Sequence, residues 1–98
     1  MNVLIVKSNP LERAWCEEHI HLLGYEVTAC TTAKVALDHC QQQFFPVIIF
    51  DVPLSDLTSE KFCRQIRAFP QEKRSLLLAC VDPEHASQLQ TLVESGID

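Results

Sequence analysis

Short apolar runs alternate with longer segments of helical periodicity along this chain. One run, at 47–50, is apolar on both faces, which is typical of a central buried strand. The strand-length runs lie at 2–6, 25–30, 44–51 and 75–80, and the helical segments lie at 10–23, 33–43, 58–68 and 84–94. This order predicts a doubly wound α/β fold, in which a parallel sheet carries helices on both faces.

The helical segments begin and end at residues that favour helix ends. Asn9 can cap the first helix, Pro10 fits its first turn and Gly24 can end it. Either Thr31 or Thr32 can cap the second helix. These residues support the element boundaries that the apolar pattern predicts.

The first helix has one stripe on which apolar residues and a histidine coincide. We expect this stripe to pack on the sheet, so that His19 is a partly buried core histidine and neither a ligand nor a base. The stripe consists of Trp15, Cys16, His19, Ile20 and Leu23. A zinc site built on Cys16, His19 and His21 is disfavoured, because no second pair of ligands accompanies them.

Composition narrows the function classes. The 98 residues suffice for one domain, residues 1–98, and the net charge of −5 with scattered Lys and Arg argues against binding to nucleic acid. No apolar run approaches the ~20 residues of a membrane span, and no signal peptide is recognisable, so we expect a soluble cytoplasmic protein. The five cysteines are widely spaced, which predicts reduced core residues.

Candidate chemistry lies where the predicted strands end. Lys7 and Ser8 follow the first strand, Asp51 ends the third and Ala79 ends the fourth. In a doubly wound sheet these carboxyl ends share one cleft. A carboxylate that ends a central strand is unfavourable unless it meets a cation, a helix N-terminus or a reagent, so Asp51 is the main functional candidate. The alternative is that Asp51 only caps a loop.

Five stretches, NVLIVKSNP, LLGYEV, PVIIFDVPLSD, LLLAC and ESGID, resemble the receiver domain of bacterial two-component response regulators. The resemblance covers residues 1–98 and implies a flavodoxin-like fold with strand order 2-1-3-4. The family's fifth βα unit is missing, so we expect a truncated domain, the N-terminal part of a longer protein. In this family a histidine kinase phosphorylates the aspartate that ends strand three, and Asp51 matches it. The resemblance also implies a Mg²⁺ site formed by acids after strand one, by this aspartate and by a backbone carbonyl, here that of Pro53.

The sequence departs from the family at the metal site. The positions of the acidic pair hold Lys7 and Ser8, with Asn9 next, and Ala79 falls where the family has threonine or serine. Of the family's metal-binding positions, only Asp51 and Pro53 match, which predicts a weak or absent Mg²⁺ site and no other cofactor. We expect Lys7 to pair with Asp51 and replace part of the metal's charge, the alternative being that Lys7 points into solvent.

The favoured function is therefore a degenerate receiver, not an enzyme, that acts through contacts with other proteins. Its expected partners are a histidine kinase or another signalling domain and a covalently attached output domain, with no membrane partner. One alternative is an ordinary receiver phosphorylated on Asp51. A flavin- or nucleotide-binding domain is disfavoured because no glycine-rich phosphate loop follows strand one, and an aspartate-nucleophile phosphatase because Pro53 replaces its second acid. A further alternative is a structural domain that forms a homodimer through an open strand edge.

Overall fold

A computed structural model describes residues 1–70 and 73–98 of the chain. Its strands are β1 (Asn2–Val6), β2 (Glu26–Cys30), β3 (Val47–Val52) and β4 (Leu76–Val81). Its α-helices are α1 (Pro10–Leu22), α2 (Ala33–Gln42), α3 (Ser59–Ala68) and α4 (Leu89–Ser95), and a 3₁₀ helix (Pro83–Gln88) precedes α4.

The strands form one parallel sheet in the order β2-β1-β3-β4. The doubly wound α/β fold and the strand order 2-1-3-4 are therefore confirmed. The central strands β1 and β3 are the most buried of the four, as expected for strands that have neighbours on both sides. Their carboxyl ends bring Lys7 and Asp51 to the same edge of the sheet.

Most element boundaries agree with the predictions to within a few residues. The side chain of Asn9 accepts hydrogen bonds from the backbone N–H groups of Leu11 and Glu12, and Thr32, one of the two expected caps, caps α2. Gly24 follows α1 with φ +96°, a left-handed conformation that glycine adopts without strain. The last helix differs, because its first turns, 83–88, are 3₁₀ and only Leu89–Ser95 is α-helical.

The larger hydrophobic core lies between one face of the sheet and helices α2, α3 and α4. Phe50 of β3 packs on Phe62 of α3 with ring centroids 5.1 Å apart. Other members are Leu4, Val6, Cys40, Phe45, Ile48, Ile66, Leu77 and Leu92. Packing on this face holds the strands in place. The cleft at the carboxyl edge of the sheet is therefore formed by the ends of buried strands.

Helix α1 packs on β1 and β2, on the opposite face of the sheet. The expectation that its Trp15–Leu23 stripe is buried is wrong, because Trp15 is 61% and Leu23 is 73% exposed. His19 is also exposed; its Nδ1 lies 2.8 Å from the carbonyl oxygen of Trp15, and its ring stacks on the indole. The reason is that the residues of α1 nearest its own sheet, Cys16 and Ile20 among them, are only half-buried, and the stripe points past the edge of that contact.

All five cysteines are free, as expected. Cys30, Cys40 and Cys63 are buried in the core, and burial raises their pKa values, to about 12 for Cys40. Cys16 is half-buried and Cys80 is exposed, so the expected core position is wrong for Cys80. In the part of the chain that the structure describes, no helix is long and apolar enough to cross a bilayer.

Arg67 of α3 ties the last residues of the chain to β4. Its guanidinium donates hydrogen bonds to the carbonyl oxygens of Ser75 and Gly96, each at 2.7 Å, and to the Asp98 carboxylate at 2.9 Å. The backbone N–H of Asp98 donates to the carbonyl oxygen of Leu77 at 3.0 Å. Residues 96–98 are thereby fixed beside β4.

Candidate functional site

A polar cleft of about 350 Å³ lies at the carboxyl edge of the sheet. Its lining comes from the ends of β1, β3 and β4 and from the first turn of α1, as the topology requires. The lining residues are Lys7, Ser8, Glu12, Asp51, Val52, Pro53, Cys80, Val81 and Asp82. Four of these residues, Lys7, Ser8, Asp51 and Pro53, were predicted from the sequence as site residues.

An ion pair between Lys7 and Asp51 occupies the centre of this cleft. The Nζ atom of Lys7 donates a hydrogen bond of 2.7 Å to Oδ1 of Asp51. Lys7 is only 6% exposed, whereas the Asp51 side chain is 22% exposed. The lysine therefore points into the protein and not into solvent.

The backbone of β1 directs Lys7 toward Asp51. The N–H of Lys7 donates to the carbonyl oxygen of Cys30 at 3.1 Å, which extends the β1–β2 ladder by one residue. Successive strand residues point to opposite faces, so Lys7 shares the face of Ile5, and Asp51 shares the same face from β3. The guanidinium of Arg13 donates to the carbonyl oxygen of Lys7 at 3.1 Å and holds this turn.

The electrostatics of the pair favour a charged lysine. Burial by itself lowers the pKa of Lys7, but the hydrogen bond with Asp51 and the electrostatic effects of Cys80 and Asp51 together outweigh burial, so the pKa is raised above its ordinary value of 10.5. The ammonium is thus fully protonated at neutral pH and acts as a fixed cation in the cleft.

Ser8 and Asn9 differ in what they can contribute to the cleft. Ser8 lines it and is exposed. Asn9 instead commits its side-chain oxygen to the N-cap of α1, at 2.9 Å from the N–H of Leu11 and 3.1 Å from that of Glu12. The amide of Asn9 is therefore a structural group in this fold.

The position expected for Ala79 requires a correction. Ala79 pairs with Phe50 and packs against the hydrophobic core, whereas its neighbour Cys80 pairs with Asp51 and lines the cleft. The side chain opposite Asp51 is therefore a thiol. A shift of one residue along a strand moves every side chain to the other face, which is why the assignment to Ala79 was wrong.

Two residues of the cleft, Asp51 and Pro53, lie where the resemblance predicts Mg²⁺ ligands. Magnesium prefers octahedral oxygen coordination at about 2.1 Å and is usually held by more than one carboxylate or phosphate. Here Oδ1 of Asp51 is already bound by the ammonium of Lys7, and Pro53 adds only a backbone carbonyl. Across residues 1–70 and 73–98, no three His, Cys, Asp or Glu side chains lie close enough together to hold a metal.

Three further residues of the cleft region were missed in the sequence. Glu12 and Asp82 line the cleft, and Asp56 in the loop after β3 binds the N-terminus of α2. The Asp56 oxygens accept hydrogen bonds from the N–H groups of Ala33 at 2.8 Å and Lys34 at 3.0 Å. Burial by itself raises the pKa of Asp56, but these backbone donors together outweigh burial and lower the pKa below its ordinary value. The only signal in the sequence was an acid in a polar loop, which does not identify its partner.

No family model matches the chain. Its sequence is 25% identical over 99 residues to a sensor protein, GacS, of Pseudomonas syringae pv. syringae, and 22% identical over 97 residues to the signal transduction histidine-protein kinase BarA of Shigella flexneri. These matches cover 98% and 99% of this chain. The chain spans 11% of the length of each of these relatives.

Solved receiver structures are similar over almost the whole chain. The chemotaxis response regulator CheY4 of Vibrio cholerae is 26% identical with a TM-score of 0.90, covering 98% of this chain and 80% of that one. The receiver domain of the sensor histidine kinase PA1611 of Pseudomonas aeruginosa is 24% identical with a TM-score of 0.87, covering 99% of this chain and 80% of that one. A CheY-like receiver domain from Methylobacillus flagellatus is 21% identical with a TM-score of 0.86, covering 100% and 81%. Together with the Asp51 cleft at the carboxyl edge of the 2-1-3-4 sheet, these similarities show that the chain has the receiver-domain fold and is similar to receiver domains of two-component and phosphorelay proteins.

Proposed function

We propose that this receiver acts as an interaction module whose cleft is held by the Lys7–Asp51 ion pair in place of Mg²⁺. The observation that carries this proposal is the hydrogen bond of 2.7 Å between Nζ of Lys7 and Oδ1 of Asp51, with the lysine 6% exposed. A lysine buried to this extent, with its ammonium on the carboxylate, is a structural part of the cleft. On this account the domain has no enzymatic turnover and needs no cofactor.

The charge of Lys7 opposes metal binding in two ways. The ammonium already uses one oxygen of the only carboxylate at the expected phosphorylation position, so a metal has to displace it. The displaced ammonium of Lys7 would then be a buried positive charge next to a divalent cation. Like charges that are close together repel strongly where solvent is limited. The PA1611 receiver, by contrast, was solved with a magnesium ion in its active-site cleft.

An ordinary phosphoaccepting receiver is the second candidate. The exposure of Asp51, 22% for its side chain, supports it, because a small phosphoryl donor can reach the carboxylate from the cleft. Lys7 also places a cation where the negative charge of a phosphoryl group would lie. This candidate requires that the ammonium leave Oδ1 of Asp51 or share it with the incoming group.

The partners that we propose are signalling proteins. The relatives are named as a sensor protein and a signal transduction histidine-protein kinase. We therefore propose a histidine kinase or another signalling domain as the partner, including an output domain on the same polypeptide. A cytoplasmic location is part of this proposal and agrees with five free thiols, which are typical of a reducing compartment.

The proposal is tested by intact mass spectrometry after incubation with acetyl phosphate and Mg²⁺. We expect no increase of the size of a phosphoryl group in the wild-type protein, while a phosphoaccepting receiver treated in parallel gains it. The matched control is Asp51→Asn, which removes the acceptor. A phosphoryl-sized increase in the wild type that Asp51→Asn abolishes would establish the second candidate and contradict the proposal.

A further inference from the structure

Lys7 lies at the point where the backbone leaves the sheet. The pairing of β1 with both of its neighbours ends at Val6, and α1 begins at Pro10, so residues 7–9 alone form the turn between them. The N–H of Lys7 still donates to the carbonyl oxygen of Cys30 at 3.1 Å. The carbonyl of Lys7 lies beyond both strand ladders, so its orientation depends on another group.

Arg13 binds the carbonyl groups of this turn. Its Nη1 atom donates a hydrogen bond of 3.1 Å to the carbonyl oxygen of Lys7 and lies 3.4 Å from that of Ser8. Its backbone N–H donates to the carbonyl oxygen of Asn9 at 3.0 Å. One residue of α1 thus binds the carbonyl of every residue between β1 and α1.

The side chain of Arg13 serves this turn and not an ion pair. Glu17 follows four residues later on α1, at a spacing that allows a pair on a helix surface. Across residues 1–70 and 73–98, however, the guanidinium of Arg13 forms no salt bridge. It is a rigid, planar group whose Nη1 carries two N–H donors, enough for two adjacent carbonyls.

The two hydrogen bonds of the Lys7 backbone determine where its side chain points. Each Cα atom lies between two peptide planes, and each plane is rigid. The bond to Cys30 holds the plane before Lys7, and the bond from Arg13 holds the plane after it. Together they fix φ and ψ of Lys7 and therefore the direction of its Cα–Cβ bond.

This direction matters because the lysine side chain is long and flexible. A small rotation at Cα moves the distant Nζ atom much further than it moves Cβ. The hydrogen bond of 2.7 Å from Nζ to Oδ1 of Asp51 allows little displacement before it is lost. A flexible side chain also loses rotamer entropy when its end is held in one place, so a backbone that already points it correctly favours the pair.

We propose that Arg13 is a positioning residue for Lys7, and that by holding the carbonyl of Lys7 it keeps the ammonium on Asp51. Arg13 acts through the backbone of Lys7 and not through a bond to the carboxylate. The role rests on the proposed function and deepens it, because a cleft held by an ion pair in place of Mg²⁺ needs an ammonium that stays in place. Loss of Arg13 should release the ammonium without removing its charge.

The ammonium protons of Lys7 give a direct readout of this role. Among the four lysines of the chain Lys7 is buried, whereas Lys34, Lys61 and Lys73 are exposed. A buried, hydrogen-bonded ammonium exchanges its protons with water more slowly than an exposed one. We therefore expect one ammonium signal in the ¹H–¹⁵N NMR spectrum of lysine-labelled protein at pH 6, and its loss in Lys7→Met assigns it.

In Arg13→Gln the amide spectrum should remain that of a folded protein. The ammonium protons of Lys7 should exchange about tenfold faster, the factor that corresponds to losing one hydrogen bond from a charged donor. A residue that only stabilised the turn would leave this exchange rate unchanged. The matched control is Arg64→Gln, which removes an arginine that binds Glu60 on α3, outside the cleft, and should leave the rate as in the wild type.

A double-mutant cycle gives a second measurement. Lys7→Met should destabilise the wild type more than it destabilises Arg13→Gln, because without Arg13 the ammonium spends less time on Asp51. Urea unfolding measures both differences. Arg13→Lys covers the case in which Arg13→Gln fails to fold, since its ammonium can still bind one carbonyl, and it should give an intermediate difference.

The outcomes separate this proposal from the proposed function. A Lys7 exchange rate that Arg13→Gln leaves unchanged overturns the positioning role alone, and so do equal losses in the two backgrounds of the cycle. An exchange rate that Arg64→Gln raises as much as Arg13→Gln also overturns it, because the effect is then not specific to the turn. A wild type without a slowly exchanging ammonium contradicts the Lys7–Asp51 pair itself, and the proposed function fails with it.

Discussion

A lysine at the end of a buried strand is stable only if its ammonium meets an anion, because an unpaired charge at such a position costs several kcal/mol. In this chain Lys7 meets Asp51 at 2.7 Å. The reverse also holds, since Asp51 ends the central strand β3 and needs a cation or a set of donors. Each residue thus explains why the other is tolerated in the cleft.

Replacing Lys7 by methionine tests this dependence. Lys7→Met keeps much of the side-chain volume but leaves the Asp51 carboxylate without its cation, so we expect a loss of about 2 kcal/mol in the free energy of unfolding, between the values for exposed and buried pairs. Urea unfolding at pH 7 measures it. The double variant Lys7→Met/Asp51→Asn should recover part of this loss, and Lys61→Met, at an exposed lysine, should change stability by less than about 0.5 kcal/mol. A Lys7→Met protein as stable as the wild type contradicts a structural role for the pair.

The stability that Lys7 contributes should also depend on pH. Its pKa is higher in the folded protein than its ordinary value of 10.5, so its contribution is complete below about pH 10.5 and is lost as the pH rises through the folded value. The difference in unfolding free energy between the wild type and Lys7→Met should therefore be constant between pH 7 and 9 and should shrink in more alkaline solution. A difference that instead grows with rising pH would show that the lysine is destabilised by its burial.

The sequence allowed Asp51 and Lys7 to be chosen as cleft residues because both follow clear apolar runs. It did not allow the choice between Ala79 and Cys80, since the run LLLAC is apolar on both faces and gives no alternation from which to read the side-chain direction. Asp56 was missed for another reason. Its partners, the N–H groups of Ala33 and Lys34, are backbone atoms 23 and 22 residues away, and every helix has such unsatisfied donors at its N-terminus.

At the scale of elements, Asp56 connects the loop that follows Asp51 to helix α2. Thr32 satisfies one N–H of the first turn of α2, and Asp56 satisfies two more from across the loop. The carboxylate also lies at the positive end of the helix dipole, which favours its charge. Loop and helix should therefore move together, so that a change at Asp51 can reach α2 through this contact.

Asp56→Asn should weaken this connection. We expect a loss of about 1 kcal/mol at pH 7, typical of removing a helix cap, because the amide carries no charge and has only one acceptor oxygen. The pKa of Asp56 is lowered on folding, so its contribution is present above the ordinary value of 3.8 and is lost as the pH falls through the folded value. Urea unfolding of both proteins at pH 7 and pH 3 measures the effect. If the difference in unfolding free energy between the wild type and Asp56→Asn is the same at both pH values, the charge of Asp56 has no role in this contact.

Helix boundaries were predictable where a side chain caps the helix, as with Asn9 and Thr32. The buried face of α1 was not. Helical spacing predicted an apolar stripe correctly, but Trp15 and Leu23 are exposed because they lie beyond the edge of the contact that α1 makes with β1 and β2. Periodicity identifies a face that favours burial; it does not say whether the described part of the chain provides the surface that buries it.

At the scale of the whole molecule, the two faces of the sheet are packed differently. One face is closed by α2, α3 and α4 over a continuous core, which gives the domain its stability. The other face carries α1, which packs on β1 and β2. The cleft with Lys7 and Asp51 lies at the carboxyl edge between these faces, so a change there can affect both. The fold class and strand order were predictable because apolar runs and helical segments alternate so regularly, whereas the strands on which α1 packs were not.

The central claim is that Lys7 replaces Mg²⁺, and a titration of the protein with MgCl₂ tests it most directly. Isothermal calorimetry, with amide NMR shifts of Asp51 and Val52 as a second readout, should show no binding in the millimolar range for the wild type. Lys7→Asp should bind Mg²⁺, because it restores a second carboxylate at the edge of the cleft, and Lys7→Asp/Asp51→Asn should lose this binding. Saturable binding of Mg²⁺ to the wild type that Asp51→Asn abolishes would contradict the account, since it would show that the ammonium of Lys7 yields its place to the metal.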